Sequence, residues 1–297
     1  MTIEFPRIGE IELLSALHDT SSSNAAEDQN EKLQLVEVVF ISAAAIATYH
    51  FCLFSVLKVV YSPVYNKNDK TNFKKVAYQL TNLSVNFALG VWGFYQYFWN
   101  VPSMKSVGIV ERVNGFPQFA IFGGLQVGYN LWALPIGLLI GEGAPMICHH
   151  LAVLCVGSIS CFAANGFRYH APFFFGVVEI SSVPLSIWNI SKENPEMAKR
   201  RIPRLSAAAR PIFALSFLLF RVLMWSPQMY DVLRISGLLG WTCEDNVCRA
   251  ALACFWSTAT FLTILQFYWG QLILKCIIDP LIGKGGDQVT ESVKKTD

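Results

Sequence analysis

Seven separate stretches of this chain are long and apolar enough to cross a bilayer, and that decides the solvent in which most of it folds. A spanning helix takes roughly 20 apolar residues. The stretches are Val38 to Leu57, Val76 to Trp99, Phe116 to Ile140, Met146 to Asn165, Ala171 to Ile190, Ala207 to Trp225 and Ala250 to Leu274. The sixth is short, and Arg210 and Arg221 interrupt it. Charged residues make up 15% of the chain, against about 25% in soluble domains. Lipid cannot bond an open backbone, so the expected fold class is all-α: a polytopic membrane helical bundle with about seven transmembrane helices.

The loops between these stretches differ in basic charge. Lys and Arg stay on the cytoplasmic side of a membrane. With the N-terminus in the lumen, 15 of the 23 bases face the cytosol and 7 the lumen, Arg221 lying within a span. The cytosolic set includes Lys58, Lys74 and Lys75 of the first connection, Lys192 to Arg210 of the fifth, and the tail. The expected arrangement is therefore N-lumenal, C-cytosolic. Residues 1–37 hold eight acids and two bases around Ser21-Ser22-Ser23-Asn24 and read as an acidic, disordered lumenal tail without a cleavable signal. Residues 38–278 form the membrane domain and 279–297 a cytosolic tail. That tail ends Lys294-Lys295-Thr296-Asp297, which looks like a di-lysine retrieval address for the endoplasmic reticulum. Cys243 and Cys248 flank a short predicted lumenal loop and suit a disulfide. With no histidine nearby in sequence, zinc is disfavoured there.

Polar residues within the spans are the ones that need explaining. The second stretch carries Gln79, Asn82 and Asn86 at helical steps, and the third Gln126 and Asn130. Ser158, Ser182 and Gln266 extend the same pattern into the fourth, fifth and seventh. Helix packing accounts for part of each stripe, since small residues and amides join helices across lipid. It accounts less well for Glu179, because an intramembrane carboxylate costs roughly 2.5–3.5 kcal/mol. Arg221 is its candidate partner, and a purely structural ion pair is the plain alternative.

His149-His150 opens the fourth span. Adjacent helical residues point about 100° apart, so the two rings do not share a metal. The other histidines, His18, His50 and His170, stand alone in sequence, which excludes the multi-cluster diiron enzymes. One ring facing a cavity could act as base or nucleophile. No phosphate-cradling glycine loop, nucleophile elbow or zinc signature occurs. No metal and no resident cofactor are expected. The basic loops read as topology signals rather than nucleic-acid contacts.

His149-His150, the tract Phe173-Phe174-Phe175-Gly176-Val177-Val178-Glu179-Ile180-Ser181-Ser182-Val183-Pro184, Phe220-Arg221-Val222, and Leu265-Gln266-Phe267-Tyr268-Trp269 with Lys275 beyond it together resemble the TLC domain. That domain is shared by translocating-chain-associated membrane proteins, Lag-type ceramide synthases and CLN-type proteins. The resemblance covers Val38 to Ile278 and is greatest to the small TLC-domain-containing proteins. It implies a six-helix core around a lipid cavity plus one N-terminal helix. In the synthases the histidine pair is followed by two aspartates. Here Glu179 is the one downstream carboxylate of the tract.

Two functions follow from the resemblance. The first is an endoplasmic reticulum protein that binds lipid or acyl chains and contributes to membrane lipid homeostasis. Its lipid-binding candidates are Gln79, Asn82, Asn86, Gln126, Asn130, Ser158, Ser182, Arg221 and Gln266. The second is acyl-CoA-dependent N-acyl transfer to a sphingoid amine, with His149, His150 and Glu179 as catalytic candidates and acyl-CoA as substrate. The expected partners are membrane lipids or acyl chains, with a homodimer left open. A seven-helix receptor is disfavoured, since no Asp-Arg-Tyr follows the third span and no Asn-Pro-x-x-Tyr lies in the seventh.

Overall fold

The computed structural model describes residues 25–61, 72–163, 166–243 and 245–281. All regular structure among them is helical. The long elements are α1 (Ala25–Tyr61), α2 (Phe73–Tyr95), α3 (Ala120–Ile140), α4 (Ala144–Ser158), α5 (Ser182–Glu193), α6 (Pro203–Phe217), α7 (Trp225–Thr242) and α8 (Asn246–Leu281). They form an all-α bundle in which α1 packs on α2 and α3, α2 on α5, α3 on α4, α4 on α8, α5 on α6, and α7 on α8.

Six helical stretches among the described residues are long and apolar enough to cross a membrane. The segment containing α2 is not one of them, because Gln79, Asn82 and Asn86 lower its hydropathy. It is nonetheless a 23-residue helix, about 35 Å long.

Three boundaries differ from the sequence reading. First, α1 starts at Ala25, so part of the expected disordered tail is helix. Leu35 is buried there with Ala120 and Cys161, and Glu31 pairs with Arg168 at 2.6 Å. Second, the sixth span does not end at Trp225. It runs on through α7, which carries Arg234. Third, the fifth span is not one helix. Arg168–His170 and Ala171–Phe174 are short turns, and Val177–Ser181 is a 3₁₀ turn before α5. Such irregular backbone is tolerated at membrane depth only when protein covers it. Val177, Val178, Glu179 and Ser181 are all buried.

Local sequence explains the two turns that matter for the site. Gly141, at φ 75°, ends α3 in the left-handed conformation. Pro145 then enters the first turn of α4, where its missing N–H costs nothing. This places Glu142 between the two helices. In the α6–α7 rod, a π-helical turn at Leu218–Leu223 carries Arg221 inward. Single π-turns inside α-helices occur frequently at functional sites.

One end of the bundle gathers Lys74, Lys75, Lys192 and Lys199–Arg201. Asn72 caps α2 there, its side chain accepting from the Lys75 backbone N–H at 3.2 Å. The opposite end is held by a buried polar clasp. His170 meets Gln228 at 2.9 Å through Nδ1 and Asp231 at 3.1 Å through Nε2. Arg112 binds the other Asp231 oxygen, and Gln228 donates to the Tyr97 hydroxyl at 2.8 Å. His170 is therefore not isolated. Cys243 and Cys248 are joined in a disulfide at the same end. The retrieval-like lysines Lys294 and Lys295, residues 1–24 and Asn165 lie outside the described residues.

Candidate functional site

A cavity of about 740 Å³ lies inside the bundle toward the basic end, a volume typical of small-molecule sites. Gln79, Asn82, Asn86, Gln126, Asn130, His149, His150, Glu179, Ser182 and Arg221 all line it. The polar stripes of α2, α3, α4, the 177–182 turn and the π-turn thus converge on one space. Two candidates do not reach it. Gln266 lines a second, narrower cavity of about 50 Å³. Ser158 lines neither cavity. Its neighbour Gly157 is the residue turned inward against Val127, and one step along a helix rotates a side chain about 100° away.

Glu179 is 6% exposed and fully engaged. Gln126 Nε2 donates to Oε1 at 3.2 Å. Ser182 Oγ and Arg221 Nη2 donate to Oε2 at 2.7 and 3.3 Å. Arg221 also donates from Nε to Ser181 Oγ at 2.8 Å and from Nη2 to Ser182 Oγ at 2.9 Å. The carboxylate and guanidinium compensate each other, and the serines complete both. Glu179 therefore does not orient either histidine.

His150 is held by a different acceptor. Asn130 donates its Nδ2 to the Gln126 carbonyl at 2.7 Å, so its Oδ1 accepts, and the His150 Nδ1–H donates to it at 2.9 Å. That assigns the tautomer and leaves Nε2 as the basic nitrogen. Nε2 stands 3.8 Å from Glu142 Oε2. The Tyr78 hydroxyl donates to the same oxygen at 3.1 Å. Burial pushes the Glu142 carboxyl above the usual range, opposed by the Tyr78 hydrogen bond and the charge of Lys75. His149 contacts the Trp269 ring edge-on at 5.6 Å.

Glu142, Trp188, Arg210 and Trp269 line the cavity too, and sequence reasoning did not assign them to the site. Glu142 left one trace, a lone acid in Gly141-Glu142-Gly143 between two apolar spans. Arg210 lies 5.9 Å above the Trp188 ring, a contact between segments that no local pattern announces. Among the lining residues Pro145, Arg210, Pro211, Leu272 and Ile277 are exposed, so the cavity reaches the surface between α4, α6 and the end of α8.

Four residues, Gln126, His149, Glu179 and Arg221, line both cavities. They form a polar septum. Beyond it the narrow cavity runs between apolar side chains including Val153, Phe174, Val178, Met229, Val232 and Phe255 toward the clasp end. No group of three or more His, Cys, Asp or Glu side chains capable of holding a metal occurs among the described residues.

Compared with known proteins, the chain matches the TLC domain of the TRAM, LAG1 and CLN8 proteins over residues 72–275. No curated protein matches it. The matched region holds α2 to nearly the end of α8, and with it every residue of the septum and both histidines; the chain belongs to the TRAM/LAG1/CLN8 family of TLC-domain membrane proteins.

Proposed function

We propose that this protein binds a membrane lipid or acyl chain in its paired cavities and thereby contributes to membrane lipid homeostasis, in the manner of the small TLC-domain-containing proteins rather than the ceramide synthases. The carrying observation is the wide cavity of about 740 Å³, largely apolar with polar side chains from several helices set into its walls, and bounded by a polar septum from a narrow apolar slot. Such a space suits an amphiphile, whose chain lies along the apolar walls and whose polar group meets the buried amides. The exposed residues at its edge lie on membrane helices, which suits entry from the bilayer. We place the protein in the endoplasmic reticulum membrane with its basic end in the cytosol, following the distribution of Lys and Arg.

A second reading, acyl-CoA-dependent N-acyl transfer, is favoured by one observation. Asn130 orients His150 so that Nε2 keeps its lone pair, as a general base requires. The acid beside that nitrogen is Glu142, not Glu179.

Lipid mass spectrometry on the gently purified protein tests the first reading. A lipid enriched over empty micelles is expected, and no enrichment would overturn it. Incubation with long-chain acyl-CoA and a sphingoid base tests the second. CoA release that His150→Ala lowers about 10²-fold or more is its expected sign, and no release across chain lengths removes it.

A further inference from the structure

Gln266 is fully buried, at 0% exposure, on α8 at the septum side of the narrow slot. Neither end of its amide meets a protein partner: both Nε2 and Oε1 are buried without a hydrogen bond. The same is true of Gln126 Oε1 and His149 Nδ1, which line the same slot. A buried amide left unpaired is costly, and natural structures rarely keep one without a reason. Here several such atoms from three helices face one narrow space.

Charge at this point is already balanced. Glu179 and Arg221 pair with each other and share the serines. At the far end of the slot, His170 is taken by Gln228 and Asp231. An ionised ligand in the slot would find Arg221 already paired with Glu179 and would need an added proton, on itself or on His149, to be neutralised, and a buried unpaired charge is disfavoured. What remains on offer is neutral: an amide N–H that needs an acceptor, and amide oxygens that need a donor.

From this we infer that Gln266 is a ligand-binding residue and that it selects, among apolar chains held in the wide cavity, one whose end reaches past the septum into the slot and is a neutral group that both donates and accepts hydrogen bonds. A hydroxyl or a secondary amide has this chemistry. An ester accepts only, and a free fatty acid is charged. The inference rests on the lipid-cavity reading above and names the ligand class that cavity takes. The donor of Gln266 meets the ligand oxygen, and the ligand O–H or N–H meets Gln266 Oε1 or Gln126 Oε1. A site built to bond both ways rejects an analogue lacking one of the two, because its own buried group is then left unpaired.

The test uses the full-length protein in detergent micelles and four probes that share a palmityl chain: the alcohol, the N-methyl amide, the methyl ester and the carboxylate. An equimolar mixture is added, the protein is repurified, and retained probes are read by mass spectrometry against empty micelles. The alcohol and the amide are expected to exceed the ester and the carboxylate about tenfold. Gln266→Met, close in volume and without the amide, is expected to remove that advantage while its thermal unfolding temperature stays at or above that of the wild type, since it loses no protein hydrogen bond. Should Gln266→Met not fold, Gln266→Asn takes its place, its amide withdrawn by one methylene, with the same loss expected. Equal retention of all four probes, preference for the carboxylate, or a ranking unchanged in the variant would overturn the inference and leave lipid binding standing; water alone satisfying Gln266 would give that equal ranking. Retention of none would overturn the lipid-cavity reading itself.

Discussion

Glu179 and Arg221 carry the opposing charges of the septum, and neither is stable in the bundle alone. Removing one partner of a buried pair strands the other charge, at a cost of about 3–5 kcal/mol, whereas replacing both with apolar residues is often close to neutral. Arg221→Met and Glu179→Met are therefore expected each to lower stability by about that amount, and the double variant to recover most of it. Thermal unfolding in detergent measures all three; a double variant whose loss equals the sum of the singles would mean the two are not coupled. This pair was legible in the sequence because a carboxylate in lipid calls for a partner and, of the two bases in the sixth stretch, Arg210 counts with the cytosolic connection and leaves Arg221 within the span. The role of Glu142 was not legible. Its link to Tyr78 joins segments far apart in sequence, and its place beside His150 depends on the turn between α3 and α4. Helical steps selected Asn130 and Gln126 correctly as inward, yet gave no hint that Asn130 sets the His150 tautomer or that Gln126 bonds Glu179.

At the level of elements, the stripes on α2 and α3 were readable because period fixes which side chains share a face, whereas on α4 Ser158 faces away from both cavities. The break in the fifth span was not readable from hydropathy, which sees only apolar content. Its cause is a close backbone crossing. A Cβ added to Gly93 of α2 would stand 2.3 Å from Gly176 Cα, and one added to Gly176 would stand 2.5 Å from Gly93 Cα. The two glycines let α2 press against the Val177–Ser181 turn, and that turn points Glu179 into the cavity. Gly93→Ala is expected to force the two segments apart and to destabilise by about 1–3 kcal/mol or more. Gly237 on α7 is the control, since an added Cβ there meets nothing within 4 Å. Gly237→Ala is expected to stabilise by about 0.5–1 kcal/mol through its lower backbone entropy. Thermal unfolding of the two variants side by side decides the matter: similar shifts in both would mean that the Gly93–Gly176 crossing is not what holds the turn.

Across the whole molecule, two independent features support the orientation proposed above. The charge rule places the end rich in Lys and Arg in the cytosol. The Cys243–Cys248 disulfide lies at the opposite end, and disulfides persist in oxidising compartments. Helix length adds a geometric reason for that end to stand clear of lipid. The apolar stretch Pro203–Trp241 has 39 residues and α8 has 36, about 59 and 54 Å of helix at 1.5 Å per residue. A hydrocarbon core is about 30 Å thick, so the α7–α8 hairpin tilts or extends past it. Asp231 of the clasp lies on α7 toward that end, with Arg112 and His170 packed against it from other segments. Glycosylation reports the orientation directly, because acceptor sites are modified only in the lumen. Met104→Asn creates an Asn-Lys-Ser acceptor with Lys105 and Ser106 at the clasp end. Asn68→Ser creates one at Asn66 in the basic connection. The first variant is expected to gain an endoglycosidase-sensitive mass shift on expression in microsomes and the second to gain none. The reverse pattern would invert the protein in its membrane and would turn the basic end, with the cavity opening beside it, toward the lumen, out of reach of any cytosolic acyl-CoA.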